Sequence, residues 1–181
     1  MTKKILVAFL LVLLPQLLWA DSQWILVEST LTYHITHPLH SAAGISHAAR
    51  GKGICHAGEC NFLVAVPVKT FNSGNSNRDL HMLQVVRGAQ FPMVVARFQM
   101  PEAEITLPTI HANLEIQFAG QTAEYKQVAF ERTQKGTETE VKGTVPMKIS
   151  DFKITPPELL FMPINNAVPV SVDTLWKREG N

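Results

Sequence analysis

The chain has little of several things that would narrow its chemistry at once. Only two of its 181 residues are cysteine, so it is no disulfide-dense miniature scaffold that manages without a core. Basic and acidic residues nearly balance, 16 against 15. There is no basic stripe and no interleaving of aromatic with basic residues, which removes the usual footprint of a nucleic-acid binder. No GxSxG elbow, HExxH, glycine-rich phosphate loop, CxxC or CxxCH occurs, so the common hydrolase, zinc-protease, nucleotide, thioredoxin-type and haem-attachment chemistries lack their signatures. Internal repeats and low-complexity tracts are absent. Apolar runs of membrane-spanning length are absent too: the one long stretch, Ile5 to Leu14, is short for a span and Pro15 follows it.

What that stretch does have is the layout of a secretory signal over residues 1–20. Lys3 and Lys4 form a charged start, Ile5 to Leu14 the apolar centre, and Leu18-Trp19-Ala20 a small-residue cleavage site. No cysteine follows at once, which argues against a lipid anchor. Removal of residues 1–20 takes away two lysines and no acids, leaving 14 basic and 15 acidic residues over positions 21–181. Those residues suffice for one domain with its own core, and the expected location is periplasmic or secreted.

Within that domain the apolar pattern has period two. Leu31, Tyr33, Ile35 and His37 fall on one strand face; so do Phe62, Val64, Val66 and Val68; Ala112, Leu114, Ile116 and Phe118; Val141, Gly143, Val145, Met147 and Ile149; and Val170, Val172, Thr174 and Trp176. Turns fall at Ala57-Gly58, Ala119-Gly120-Gln121 and Lys135-Gly136. This alternation predicts an all-β fold, an antiparallel sheet with one hidden face, and closing it into a barrel of about eight strands removes its edges. Pro67 and Pro146 interrupt two apolar runs, where bulges or edge-like positions are expected. Pro156-Pro157 before Glu158-Leu159-Leu160 predicts a turn into a short helical turn.

One segment breaks the period. Ser76 as a cap, Asp79 three residues on in a capping-box-like arrangement, Leu80, Leu83 and Val86 at spacings of three, and then Gly88 and Pro92 predict one short helix over about 77–88. A lone helix between strands suits the closure of a barrel end.

The order Phe71-Asn72-Ser73, Arg78-Asp79-x-His81-Met82-Leu83 and Phe91-Pro92 before an apolar strand resembles the YceI family. So do Ser29-x-Leu31-x-Tyr33-x-Ile35-x-His37 near the start and the run Met147 to Ile154 with its central Asp151-Phe152. The resemblance covers about residues 24–176. It implies a lipocalin-like barrel whose tunnel holds an isoprenoid-type amphiphile, polyprenyl or quinone-like. It implies binding rather than turnover, with no cofactor. Strand parity and the family layout together predict Tyr33, Ile35, His37, Phe62, Val64, Val66, Phe118 and Met147 as the tunnel wall, with Leu80 and Leu83 capping one end.

His34, His37 and His40 invite a metal reading. Residues three apart on a strand point to opposite faces, however, so His34 and His37 would not converge and no metal site is expected. His37 either meets a polar headgroup at the tunnel mouth or is satisfied by the barrel itself; the second reading is favoured. Cys55 and Cys60 flank a short turn, which in an exported chain favours a disulfide. The rivals are a redox-active pair and a metal pair with His47 or His56. The four-residue spacing matches neither CxxC nor a complete zinc set.

The leading expectation is thus an exported, non-enzymatic lipid carrier or store. The alternative is a metal- or redox-linked periplasmic accessory protein using the histidine-rich region and the cysteine pair. A third reading places a membrane-associated electron-transfer partner on the barrel's outside. The sequence leaves a homodimer open.

Overall fold

The computed structural model describes residues 22–159 and 161–180; the signal segment expected over residues 1–20 lies outside them. The described chain forms a closed antiparallel barrel. Its strands are β1 (Ser22–His37), β2 (His40–Ser46), β3 (Arg50–His56), β4 (Glu59–Pro67), β5 (Met93–Pro101), β6 (Thr109–Phe118), β7 (Gln121–Lys135), β8 (Glu138–Val145) and β11 (Val170–Gly180). The short strands β9 (Glu158–Leu159) and β10 (Met162–Pro163) pair only with each other. Consecutive strands from β3 to β8 are neighbours, β8 pairs β11, and β11 pairs β1 to close the ring. β2 and β3 lie end to end along the other edge of β1, facing its last and first residues respectively. Eight staves result, with no exposed edge along most of the circumference.

The period-two pattern is what closes the barrel. Along β6 the residues alternate strictly, with Ile110, Ala112, Leu114 and Ile116 buried and His111, Asn113, Glu115 and Gln117 exposed. β1 alternates on either side of one shift, burying Trp24 and Leu26 before it and Leu31 and Tyr33 after it, and β4 buries Cys60, Phe62 and Val66. Two register shifts adjust the curvature, as bulges do. One spans Leu26 to Glu28 in β1. The other lies between Ala112 and Leu114 opposite β7, where Gln127 takes φ 54° and Asn113 Oδ1 accepts its backbone N–H at 2.9 Å. Neither involves proline. Pro67 is instead the last residue of β4, and Pro146 falls one residue past β8. The ladder stops where a donor is missing: of the two expected alternatives, the prolines stand at strand ends and not at bulges.

The β3–β4 hairpin turns through Ala57 and Gly58, both at positive φ, the conformation that two-residue hairpins require. Cys55 and Cys60 are cross-strand partners there and form a disulfide, with Cα atoms 4.0 Å apart. Closing so short a loop contributes about 2 kcal/mol in the chain-entropy treatment.

Helix α1 spans Ser76–Val85, shorter than the expected 77–88 and starting earlier. Its cap is Asn75, not Ser76: the Asn75 side chain accepts from Arg78 N at 3.0 Å. Asp79 accordingly closes no capping box with Ser76. It accepts from the backbone N–H and hydroxyl of Ser73, while Arg78 donates to Ser73 Oγ and O. The helix ends in a Schellman arrangement, Gly88 N to Leu83 O and Arg87 N to Gln84 O. Arg87 rather than Gly88 takes the left-handed position, at φ 55°. It is tied there by a hydrogen bond to Ala119 O at 2.6 Å and by stacking over Phe91.

Two further expectations are corrected beyond β8. Met147 and Ile149 do not continue the strand; residues 149–152 form a 3-10 turn that buries Phe152 completely against Phe118. Residues 158–159 are extended rather than helical, because Met162–Pro163 folds back on them and Ile164 N bonds to Pro157 O.

Candidate functional site

The inward side chains do not fill the barrel. They leave a cavity of about 540 Å³ that runs along its axis, within the range of small-molecule sites. At the end where β1 begins, the wall is Trp24, Met100, Ile105, Ile110 and Trp176, all buried, so that end is closed. The middle is apolar, with Phe62, Val64, Ala96, Phe98, Ala112, Leu114 and Ile116. At the other end the wall turns polar: His37, His40, Arg78, His81, Lys148 and Glu158. His40, Lys148 and Glu158 are exposed as well as lining, which makes this end the mouth.

Three cross-strand pairs keep the space open. Tyr33 faces Gly44, Phe62 faces Gly53 and Phe130 faces Gly143. A Cβ on these glycines would lie 2.4, 2.3 and 2.5 Å from the partner ring. Each aromatic ring therefore lies flat over its glycine, against the wall instead of across the lumen. Phe98 stacks on Phe62 with centroids 4.9 Å apart, and Trp176 meets Phe62 edge-on, extending an aromatic wall into the closed end.

Of the residues predicted from sequence, Tyr33, Ile35, His37, Phe62, Val64, Val66, Phe118 and Met147 all line this cavity. Leu80 and Leu83 do not. Leu80 is 57% exposed, and Leu83 packs against the core without reaching the lumen. The helix turns Arg78, Met82 and Val85 inward with His81 and Val86, a face about one residue round from the one expected. The Ser73 knot holding Arg78 and Asp79 sets this rotation. The other wall residues that sequence reasoning missed include Trp24, Phe98 and Phe130. Phe130 shares the parity of its buried neighbour Val128, so a signal was present; Trp24 has the opposite parity to Leu31 and Tyr33 and faces inward only because of the bulge after Leu26; Phe98 is placed by pairing with Phe62.

His37 is buried and both ring nitrogens are used. Nδ1 accepts from Leu39 N, so the hydrogen sits on Nε2, which donates to Met162 O; both distances are 3.1 Å. The barrel itself satisfies this histidine, which leaves no ring nitrogen for a headgroup. His34 lies outside the barrel against Ser171 Oγ, so the two do not converge. The cysteines are joined and buried, and neither offers a thiolate to a metal. Four buried side-chain polar atoms have no hydrogen-bond partner among the described residues, and two of them belong to the lumen wall: Trp24 Nε1 at the closed end and Tyr33 OH near the mouth. Burial raises the Tyr33 pKa, and the Asp79 carboxylate adds to this while Arg78 opposes it.

Charge is distributed unevenly along the axis. Around the mouth end, Lys69, Arg78, Arg87, Lys148 and Lys153 outnumber Asp79, Asp151 and Glu158. Around the closed end, Glu59, Glu102, Glu104, Glu131, Glu138, Glu140 and Glu179 outnumber Lys52, Arg132, Lys135, Lys177 and Arg178.

An eight-stranded antiparallel barrel around a ligand-sized apolar lumen, closed at one end and polar at the other, defines a class of binding architecture that lipocalins also use. Residues 27–175 match the YceI-like domain family, and the chain belongs to it. No curated protein matches the sequence. Among solved structures, it is similar to a polyisoprenoid-binding domain from Saccharophagus degradans implicated in plant cell wall breakdown. That match has 14% identity and a TM-score of 0.69, over 86% of this chain and 98% of that one. It is similar to Burkholderia cenocepacia BcnA at 12% identity and TM-score 0.69, over 81% and 95%. The Campylobacter jejuni YceI protein matches at 13% and 0.51, over 67% and 72%. At these identities what is shared is the fold.

Proposed function

We propose that the protein holds one long isoprenoid-type lipid, polyprenyl or quinone-like, with its tail in the lumen and its polar head at the mouth. The observation that carries this reading is the cavity itself. An unfilled lumen of 540 Å³ leaves its apolar wall open to water through the mouth, which costs free energy in proportion to the area exposed. An apolar tail removes that cost. Burying ten methylene-sized units contributes roughly 8 kcal/mol, more than the several kcal/mol lost on association. Affinity thus depends mainly on the tail, and selectivity between heads is weak. The polyisoprenoid-binding domain of similar fold supports the ligand class.

Export to a periplasmic or extracellular compartment belongs to the same reading. It is supported by the signal-like residues 1–20 and by the disulfide, since disulfides persist in oxidising compartments. The role is carriage or storage, not turnover. Arg78 and Asp79, an adjacent charged pair, are engaged with Ser73.

Organic extraction of protein purified from its own compartment, followed by mass spectrometry, should release an isoprenoid-type lipid in near-stoichiometric amount. Extracts that repeatedly hold none, together with no uptake of polyprenyl compounds by stripped protein, would refute the proposal. The variant Ala112→Phe sharpens the test. Ala112 is 2% exposed and lines the middle of the lumen, so a phenyl ring there should exclude long tails while shorter ones still bind.

A further inference from the structure

We infer that the mouth end is a membrane-docking face, which seats the barrel on an anionic lipid bilayer so that the tail passes between bilayer and lumen without crossing water. The inference rests on the lumen reading above. Three large apolar side chains are displayed on elements that rim the mouth: Phe161 is 96% exposed, Leu39 58% and Leu80 57%. Phe161 and Leu39 are neighbours through one side chain. The His37 ring accepts from Leu39 N and donates to Met162 O, which ties the β1–β2 turn to the tip of the β9–β10 hairpin. Asn165 N adds a bond to Thr36 O.

The display is not a by-product of packing. Phe161 sits at φ 64°, a left-handed conformation that a bulky residue adopts only at a cost. The tip nevertheless presents a phenyl ring to solvent where glycine or asparagine would be the relaxed choice.

The occupant follows from three observations. Exposed apolar side chains stand beside the opening of an apolar lumen, so whatever covers them also receives the ligand, and a long-tailed lipid resides in a bilayer. The rim carries the molecule's basic excess while the closed end carries its acidic one. In the field of an anionic surface that polarity turns the mouth toward the membrane. A small apolar wedge flanked by cations is also the composition of reversible interfacial binding, shallow enough for release.

The test uses residues 21–181, which contain the whole barrel and lack the apolar leader. Flotation with vesicles of phosphatidylcholine and phosphatidylglycerol should bring the protein up with them, less so in high salt or with phosphatidylcholine alone. The double variant Leu39→Ser, Phe161→Ser should lower vesicle binding by about tenfold or more. A separate arm supplies a fluorescent polyprenyl probe from cyclodextrin; uptake there should be equal in both proteins. Tryptophan emission from Phe161→Trp should shift to the blue on adding vesicles. Wild-type protein that stays unbound, or a double variant that floats equally well, overturns docking while leaving the lumen reading intact. Concentration-dependent dimerisation that the double variant abolishes, with no vesicle binding, overturns it in favour of a second copy of the chain. Failure of the cyclodextrin arm in the wild type removes the lumen reading itself.

Discussion

Tyr33, Phe62 and Phe130 each sit across the sheet from a glycine, and that choice of partner decides how wide the lumen is. The missing Cβ lets each ring lie along the wall, and a new side chain would push it inward. Gly53→Val should therefore force the Phe62 ring into the lumen. The expected result is loss of long-tail uptake together with a stability cost of about 1–3 kcal/mol from overpacking, checked by probe titration and urea unfolding. Unchanged uptake would contradict this account of the wall. A second residue-scale effect lies in the buried tyrosines. Tyr125 donates to Asp151 Oδ2 at 2.8 Å, and burial first, then that bond, raises its pKa well above the ordinary 10.0. Tyr33 is raised too, chiefly by burial. Both hold their protons more tightly folded than unfolded. Their contribution is complete below about pH 10 and is lost as pH rises further, with a slope of at most about 1.4 kcal/mol per pH unit for each tyrosine. Urea midpoints should begin to fall near pH 10 on this account, and Tyr125→Phe should flatten the fall. Equal slopes in variant and wild type would remove the explanation.

At the scale of elements, helix α1 acquires its orientation from Ser73, Arg78 and Asp79 rather than from its own apolar stripe. Asp79→Ala removes two acceptor bonds to Ser73 and should cost about 1–2 kcal/mol, the size of a lost cap. It should also loosen the mouth, seen as faster amide exchange over residues 73–88 than over β6. Unchanged exchange there would show that packing alone holds the helix. The helix's existence was legible from its start and stop residues; its rotation was not. Leu80 and Leu83 sit on an apolar face in sequence, but the Asn75 cap and the Ser73 knot turn Met82 and Val85 inward instead. The strands were more legible, because period two leaves only two choices of face and one choice buries the apolar set. Where the chain left that ladder, at Met147–Phe152 and at Glu158–Pro163, local pattern misled: strand and helical turn were expected, and a 3-10 turn and a small hairpin formed. Backbone partners distant in sequence, Asn166 for Ile149 and Thr36 for Asn165, decided those segments.

For the whole molecule, the apolar lumen links stability to occupancy. A ligand that binds only the folded state at about a hundred times its Kd adds roughly 2.7 kcal/mol, or about 5–10 °C in Tm for a domain of this size. Stripped protein should therefore melt lower and recover that interval on adding a polyprenyl compound. A Tm indifferent to such ligands would mean that the lumen does not take them. By itself the sequence determined the all-β class and the inward faces of the strands it marked, and it favoured the disulfide pair, since alternation and spacing are local properties that any closed antiparallel ladder must obey. Only the tertiary structure decided that the lumen stays open, where it is closed, and which groups stand at its mouth. Those depend on rings laid over glycines from neighbouring strands, and on a histidine whose two bonds join segments 125 residues apart. Such contacts are set by the closure of the barrel and have no period along the chain.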